Sequence, residues 1–148
     1  PLKTSLTIHD LFEACGNFSW WRPQPPSKDY RINGHLIGFI DLVFEADKRF
    51  HIIDYKTNYL GPNDDAYSDD RIESAMEQSH YHLQAAIYGL ALHRWLQKRL
   101  PEYDPTRHLG DVIYLFCRGV QATNQGIWRR SIETDGVIAL EEHCLCTP

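Results

Sequence analysis

Two aspartates interrupt the two most apolar runs of the sequence. Asp41 lies inside residues 36–44 and Asp54 lies near the end of residues 50–56, and both runs are rich in β-branched and aromatic residues. Such runs are typical of buried β-strands. An uncompensated carboxylate in a buried strand is strongly unfavourable, so each aspartate needs a cation close to it.

Lys56 is one candidate for that cation. Side chains two residues apart on a strand share a face, so we expect Asp54 and Lys56 to point the same way and Tyr55 to point the opposite way. If the two apolar runs form a hairpin, Asp41 approaches the same place from the neighbouring strand. One interpretation is therefore a structural ion pair between Lys56 and one of the two aspartates.

The other interpretation is a site for a hard cation. Mg²⁺ prefers oxygen ligands and is typically held by one or two carboxylates together with substrate phosphate. Asp41 and Asp54 supply carboxylates, and the main-chain carbonyl of Tyr55 adds a further oxygen. Lys56 is then free to stabilise charge on an attacked phosphate or to hold the attacking water. The residue types and their spacing leave both interpretations open.

Length and composition limit the classes of protein to which the chain can belong. Its 148 residues, 43% of them hydrophobic, suffice for one compact domain. No apolar run approaches the ~20 residues that a membrane-spanning helix needs. The net charge of −5 argues against a domain that holds nucleic acid by electrostatics alone, but it is compatible with an enzyme whose carboxylates recruit cations. We expect the chain, which lacks a starting Met, to be a fragment of a longer protein.

The pattern along the chain predicts an α/β domain. Two strands over residues 36–44 and 50–56 form a hairpin, a long polar loop follows over 58–70, and helices are predicted over 71–78 and 81–100. A third strand over 111–116, an edge strand over 126–132 and a final helix over 135–146 complete a mixed β-sheet with flanking helices. Before the hairpin, residues 1–35 are predicted to be a remnant with a short helix over 8–14, a candidate strand over 18–21 and a proline-rich connector. The core is predicted to span residues 36–148 as a single domain.

Three motifs of this sequence resemble those of a known nuclease superfamily. They are Gly38-Phe39-Ile40-Asp41, Asp54-Tyr55-Lys56-Thr57-Asn58 followed by Gly61, and Gln84-x-x-x-Tyr88. The first two resemble the PD-(D/E)XK nuclease signature, in which an Asp and an Asp-x-Lys occupy adjacent strands of a mixed sheet. Together with the third they resemble the RecB-family branch, and the likeness runs from about residue 34 to residue 146. The resemblance implies a restriction-endonuclease-like core.

The resemblance also implies a role for each matching residue. Asp41, Asp54 and the carbonyl of Tyr55 would hold Mg²⁺, for which Mn²⁺ substitutes, and Lys56 would be the catalytic lysine. The two residues of the third motif, Gln84 and Tyr88, would lie beside the site and support it. Asn58, directly after the second motif, is a candidate DNA contact.

A metal-dependent DNA nuclease, of the exodeoxyribonuclease V type, is the function that the resemblance implies. Its parent chain would carry an ATP-driven helicase, work with RecC-like and RecD-like subunits, and act in double-strand break repair and recombination in the bacterial cytoplasm. The family places its first metal ligand, a His, on a helix well before the hairpin. We expect that ligand to lie outside this chain, which would make the fragment a weak nuclease. His9 and Glu13 lie on the first predicted helix, but their context and their distance from Asp41 do not match the family, and His9 is the candidate substitute.

Two alternatives stay open. One is a non-catalytic module that keeps the nuclease fold for docking or for guiding DNA. The other is a Cas4-like or phage exonuclease with a [4Fe–4S] cluster, since four cysteines follow the order of that cluster's ligands: Cys15, Cys117, Cys144 and Cys146. Their Cys-x-Cys spacing is unusual for such a cluster. Four scattered cysteines favour reduced thiols in a cytosolic compartment.

Overall fold

A four-stranded mixed sheet flanked by helices forms the fold in the computed structural model, which describes residues 5–32, 37–120 and 125–144. The strands are β1 (Leu42–Ala46), β2 (Arg49–Lys56), β3 (Leu109–Phe116) and β4 (Ile127–Ser131), in that order across the sheet. β1 and β4 pair antiparallel with their neighbours, and β2 pairs parallel with β3. The predicted α/β class with a mixed sheet is therefore confirmed.

The helices connect and cover the strands. They are α1 (Ile8–Cys15), α2 (Asp69–Gln78), α3 (Tyr81–Arg99), α4 (Pro105–His108) and α5 (Thr134–Cys144), with a 3₁₀ turn at Asp64–Tyr67. α2 and α3 form the crossover that a parallel β2–β3 pair requires. The helix predictions over 8–14, 71–78 and 81–100 are confirmed to within two residues. None of the helices described is long and apolar enough to cross a membrane.

The first strand differs most from its prediction. Residues 36–44 were expected to form a strand buried on both faces, but β1 begins only at Leu42, and Leu42 and Val43 are 40% and 38% exposed. The reason is a side-chain hydrogen bond. In a longer β1 a backbone carbonyl would accept the N–H of Tyr55, but here the side chain of Asp41 accepts it and the ladder ends. β1 is also the edge of the sheet, so its apolar residues reflect strand propensity more than burial.

The aromatic stretch 18–21 is a series of turns, and the strand predicted there is wrong. The N–H of Phe18 bonds the carbonyl of Cys15 and the N–H of Trp21 bonds that of Phe18, so the backbone bonds locally. The side chains of Phe18 and Trp21 are buried in the core. The run is aromatic because it fills the core, and α1, directly before it, packs against α5. The boundary predicted between residues 35 and 36 lies outside the described residues.

The core lies between α3 and one face of β2 and β3. Alternate residues of β3, Val112, Tyr114 and Phe116, are almost fully buried, and so is Ile52 of β2. The same alternation continues along β2 and turns Asp54 and Lys56 toward this apolar face. The fold thus carries two charged side chains into its core.

Candidate active site

Asp54 and Lys56 form an ion pair on the buried face of β2. Asp54 Oδ1 lies 2.6 Å from Lys56 Nζ, and the two residues are 4% and 9% exposed. Tyr55, between them in sequence, is 47% exposed on the opposite face. The predicted alternation is confirmed. The second oxygen, Asp54 Oδ2, has no hydrogen-bond partner among the residues that the structure describes.

Asp41 lies directly before β1 begins, at the edge of the sheet. Its Oδ2 accepts a hydrogen bond from the backbone N–H of Tyr55 over 2.9 Å. The last β1–β2 pair is Leu42 with Ile53, so Tyr55 lies two residues beyond the ladder. Since the N–H and C=O of a strand residue point to the same side, the Tyr55 carbonyl faces the same open edge as its N–H. Asp41 and the Tyr55 carbonyl therefore present oxygen atoms at one place.

Gln84 joins Lys56 to helix α3. Lys56 Nζ lies 2.9 Å from Gln84 Oε1, and the buried hydroxyl of Tyr114 donates to the same oxygen over 3.0 Å. An ammonium group can only donate, so the amide must present its oxygen to Lys56. The Nε2 group of Gln84 then donates to the Tyr88 hydroxyl over 3.0 Å. The resemblance placed Gln84 beside the site, and these contacts put it there.

Tyr88 fixes the segment that carries Asp41. Its hydroxyl donates to the carbonyl oxygen of Phe39 over 2.6 Å, two residues before Asp41. The close approach depends on Gly38, because a Cβ at that position would lie 3.1 Å from the Tyr88 ring. One turn of α3, from Gln84 to Tyr88, thus holds both the lysine and the segment leading into the first aspartate.

The electrostatics of the site favour a bound cation. Burial raises the pKa of Asp54, the neighbouring Lys56 opposes that rise, and the charge of Asp41 adds to it. The pKa of the Tyr88 hydroxyl is also raised, by burial first and then by Asp54 and Asp41. The negative charge of Asp41 therefore acts on the same groups as that of Asp54. The carboxylates of Asp54 and Asp41 outnumber the one ammonium group of Lys56, which leaves negative charge for a further cation.

The donor set fits a hard divalent metal. A carboxylate on β2, a carboxylate on the residue directly before β1 and one main-chain carbonyl are oxygen ligands of the kind Mg²⁺ prefers, with water and substrate phosphate completing the coordination. The observation that carries this fit is Asp54 Oδ2, which has no hydrogen-bond partner in the described ranges 5–32, 37–120 and 125–144. No group of three or more His, Cys, Asp or Glu residues that could hold a metal ion is found within the ranges 5–32, 37–120 and 125–144, so a further protein ligand would have to come from outside them.

Of the two other candidates, His9 lies elsewhere and Asn58 lies near the site. The prediction that His9 substitutes for the missing metal ligand is wrong, because His9 forms no metal-binding group with Asp41 and Asp54. Its Nε2 lies 2.9 Å from the Pro26 carbonyl oxygen and its Nδ1 lies 4.0 Å from Asp29. Asn58 lies close to the site, since its Oδ1 accepts the hydroxyl of Tyr81, whose ring covers Lys56.

The cysteines do not form a cluster in the described part of the chain. Cys15 and Cys144 are buried, whereas Cys117 is exposed and its thiol contacts the Leu115 carbonyl. Burial first, and then Cys144, raises the pKa of the Cys15 thiol, which makes it a poor metal ligand. Cys146 lies outside the described residues.

Sequence reasoning missed the two tyrosines that surround Lys56. The Lys56 Nζ lies 3.8 Å from the ring centroid of Tyr81 and 4.9 Å from that of Tyr114. The signal was present for Tyr81, which is three residues before Gln84 and shares its helix face. Tyr114 lies within an apolar strand and carried no such signal.

Comparison with known proteins agrees with this geometry. Residues 9–143 match the PD-(D/E)XK nuclease superfamily. The chain is 44% identical over 118 residues to the RecBCD enzyme subunit RecB of Escherichia coli K12, an alignment that covers 78% of this chain and 10% of that protein. It is 47% identical over 121 residues to the subunit of the same name from Buchnera aphidicola subsp. Schizaphis graminum, with 81% and 10% covered. For the subunit of Haemophilus influenzae the identity is 43% over 128 residues, with 84% and 11% covered.

The chain spans about a tenth of the length of these curated relatives. The superfamily match, by contrast, covers most of the chain and includes both strands of the hairpin and helix α3. The sequence match, the sheet topology and the positions of Asp41, Asp54 and Lys56 all agree with one family. This chain belongs to the PD-(D/E)XK nuclease superfamily.

Proposed function

We propose that this chain is a metal-dependent nuclease domain that hydrolyses phosphodiester bonds of DNA. The observation that carries the proposal is the placement of the Asp54–Lys56 ion pair beside Asp41 at the open edge of β2, with one oxygen of the Asp54 carboxylate bonded to no other residue that the structure describes. Packing alone does not require such a group, because a carboxylate that only neutralises a lysine gains by having both oxygens bonded.

Metal binding and charge stabilisation would be the tasks of different residues of this chain. Asp41, Asp54 and the Tyr55 carbonyl would hold Mg²⁺, or Mn²⁺ in its place. The bound ion would supply Lewis-acid polarisation of the phosphate and orient the attacking water. Lys56 would offset the negative charge that develops on the phosphoryl oxygens, as preorganised donors do in other hydrolases.

Three further residues support this arrangement. Gln84 keeps Lys56 directed by accepting one of its N–H groups, and Tyr88 keeps the segment before Asp41 in place. The Oδ1 of Asn58 is engaged by Tyr81, which leaves its amide N–H groups to contact a phosphate of the DNA.

The relatives suggest the wider setting. Their name, RecBCD enzyme subunit RecB, supports an exodeoxyribonuclease of the exodeoxyribonuclease V type within a larger chain. We infer that the parent chain works with RecC-like and RecD-like subunits on DNA, in double-strand break repair and recombination in the bacterial cytoplasm. A further metal ligand from outside the described residues would complete the site, and other parts of the assembly would deliver DNA to a domain whose net charge is −5.

A cleavage assay with matched variants tests the proposal. Linear duplex and single-stranded DNA are incubated with Mg²⁺ or Mn²⁺ and wild-type protein, Asp54→Asn or Lys56→Ala. Lys98→Ala, which removes an exposed lysine in the last turn of α3, is the control. We expect metal-dependent cleavage by wild type and Lys98→Ala and none by the two site variants. Cleavage that persists in Asp54→Asn or without metal would contradict the proposal.

A further inference from the structure

Four groups lie around the ammonium group of Lys56. Asp54 Oδ1 lies 2.6 Å from Nζ, Gln84 Oε1 lies 2.9 Å from it, and the ring centroids of Tyr81 and Tyr114 lie 3.8 Å and 4.9 Å away. An ammonium has three N–H donors. Asp54 and Gln84 are the acceptors of two of them among the residues that the structure describes, which leaves one N–H for a substrate.

The faces of aromatic rings hold a cation without consuming a donor. The negative face of a tyrosine ring attracts an ammonium that lies within about 6 Å of its centroid, and most strongly where water is excluded. The site is partly closed to water, since Lys56 is 9% exposed and Tyr114 is fully buried. Tyr81, the closer ring, therefore limits where Nζ can move while leaving the third N–H available.

Tyr81 is itself fixed by its surroundings. Its ring packs against those of Tyr114 and Phe116, with centroid distances of 5.7 Å and 6.5 Å. Its hydroxyl donates to Asn58 Oδ1 over 3.2 Å. It is the first residue of α3, and the preceding His80 takes a left-handed conformation with φ of 55°. A non-glycine residue pays a steric penalty in that region, which indicates that the surrounding structure enforces this entry into the helix.

We propose that Tyr81 is a positioning residue for the nuclease reaction, which holds the Lys56 ammonium through its ring face and so keeps the free N–H directed at the phosphate. This inference rests on the proposed function of Lys56. It adds a residue outside the three motifs, and it assigns the effect to the ring face and not to the hydroxyl group.

Substitutions at position 81 separate the face from the hydroxyl. Tyr81→Phe keeps the face and loses the bond to Asn58, whereas Tyr81→Leu loses both. We expect Tyr81→Leu to lower kcat on the order of 10-fold to 100-fold, as small misplacements of catalytic groups do. Tyr81→Phe should keep most of kcat, and KM for DNA should change little in Tyr81→Leu. Equal losses of kcat in the Phe and Leu variants, or no loss in either, would overturn the inference.

Fluorinated phenylalanines at position 81 give a test that does not depend on repacking. Successive fluorines keep the shape of the ring and weaken the negative potential of its face. Relative to the Tyr81→Phe protein, kcat should fall stepwise with each added fluorine. A kcat that stays constant across the series would overturn the inference even if Tyr81→Leu were unfolded.

Nuclear magnetic resonance provides a readout independent of cleavage. The chain has five lysines, so their ε-methylene signals are few, and Lys56→Arg identifies the signal of Lys56. In protein without metal or DNA, ring currents should place the Lys56 signal upfield of the others, in wild type and Tyr81→Phe. In Tyr81→Leu it should move toward the others, and an unmoved signal would overturn the inference.

Failure of the inference is distinguishable from failure of the proposed function. If Lys56→Ala cleaves DNA as wild type does, the catalytic role proposed for Lys56 is wrong, whatever the activity of the Tyr81 variants. If Lys56→Ala is inactive while Tyr81→Leu cleaves normally, only the role of Tyr81 is wrong.

Discussion

Two clusters of charged residues touch helix α3, and they differ in how fully their carboxylates are bonded. In the first, Asp54 has one oxygen on Lys56 and the other without a partner among the described residues. In the second, which we call the Glu73 cluster, both oxygens of Glu73 are engaged. Oε1 lies 2.7 Å from His82 Nε2, and Oε2 accepts from Trp128 Nε1 and from Arg130 over 3.1 Å and 3.2 Å.

The difference separates a structural cluster from a candidate reactive one. Trp20, Trp21 and Trp128 surround His82, which is 2% exposed, so the Glu73 cluster ties α2, α3 and β4 together within aromatic packing. A carboxylate with both oxygens bonded has little left to offer a ligand. The buried Asp54, with an open oxygen beside a second carboxylate, retains that capacity. The two clusters also differ in burial, since the side chains of Glu73 and Arg130 are 44% and 41% exposed whereas those of Asp54 and Lys56 are buried.

Loss of the open carboxylate should have the largest effect on activity. Asp54→Asn keeps the size of the side chain but removes the charge, so we expect cleavage to fall by on the order of 10²–10³ or more, as for the loss of a preorganised electrostatic group. The measurement is the rate of DNA cleavage at saturating Mg²⁺. The distinction between the two carboxylates would be contradicted if Glu73→Gln reduced the rate as much as Asp54→Asn while the protein remained folded.

Loss of the fully bonded carboxylate should have the largest effect on stability. Glu73→Ala leaves buried donors on His82 and Trp128 without their acceptor, at about 1–3 kcal/mol for each group. Urea unfolding measures the change. Glu77→Ala is the control one turn along α2: its exposed carboxylate lies 3.4 Å from the other ring nitrogen of His82, Nδ1, and should contribute at most about 1 kcal/mol. Equal destabilisation by the two substitutions would contradict the structural role of Glu73.

The hydrogen bond between Tyr88 and the Phe39 carbonyl should have an intermediate effect. Tyr88→Phe removes the hydroxyl that joins Gln84 to the segment before Asp41, so we expect a loss of about 0.5–1.5 kcal/mol in unfolding free energy. Cleavage should fall more than this small loss of stability would explain, because Asp41 is less well positioned. Unchanged cleavage in a folded Tyr88→Phe protein would show that α3 does not position the first aspartate.

The pH dependence of stability should show the smallest effect. Because burial and Asp41 raise the pKa of Asp54 above its ordinary 3.8, the folded protein retains a proton that the unfolded chain loses between 3.8 and the raised pKa. Unfolding free energy should therefore fall as pH rises through that window and level off above it. The contribution of Asp54 is the difference between wild type and Asp54→Asn, measured without metal. Parallel pH profiles of the two proteins would contradict the raised pKa.

The sequence predicted which side chains share a face better than it predicted where the strands begin. Strand alternation placed Asp54 and Lys56 on one face, and helical spacing placed Gln84 and Tyr88 on another, because both depend only on local geometry. The start of β1 could not be predicted, since it depends on a side chain of one strand bonding the backbone of the next.

Two other features depend on packing between distant segments. Tyr114 and Tyr81 approach Lys56 only after β3 pairs with β2 and α3 packs over both. The turns at residues 18–21 likewise follow from aromatic side chains filling the core. Tertiary packing overrides strand propensity at both places.

Calorimetric titration with Mn²⁺ tests the central claim most directly, because it measures metal binding without requiring cleavage. The account predicts that wild type and Glu73→Gln bind the ion alike, and that Asp54→Asn and Asp41→Asn lose the binding. Titration of Asp54→Asn with the wild-type affinity, or loss of binding in a folded Glu73→Gln protein, would contradict it.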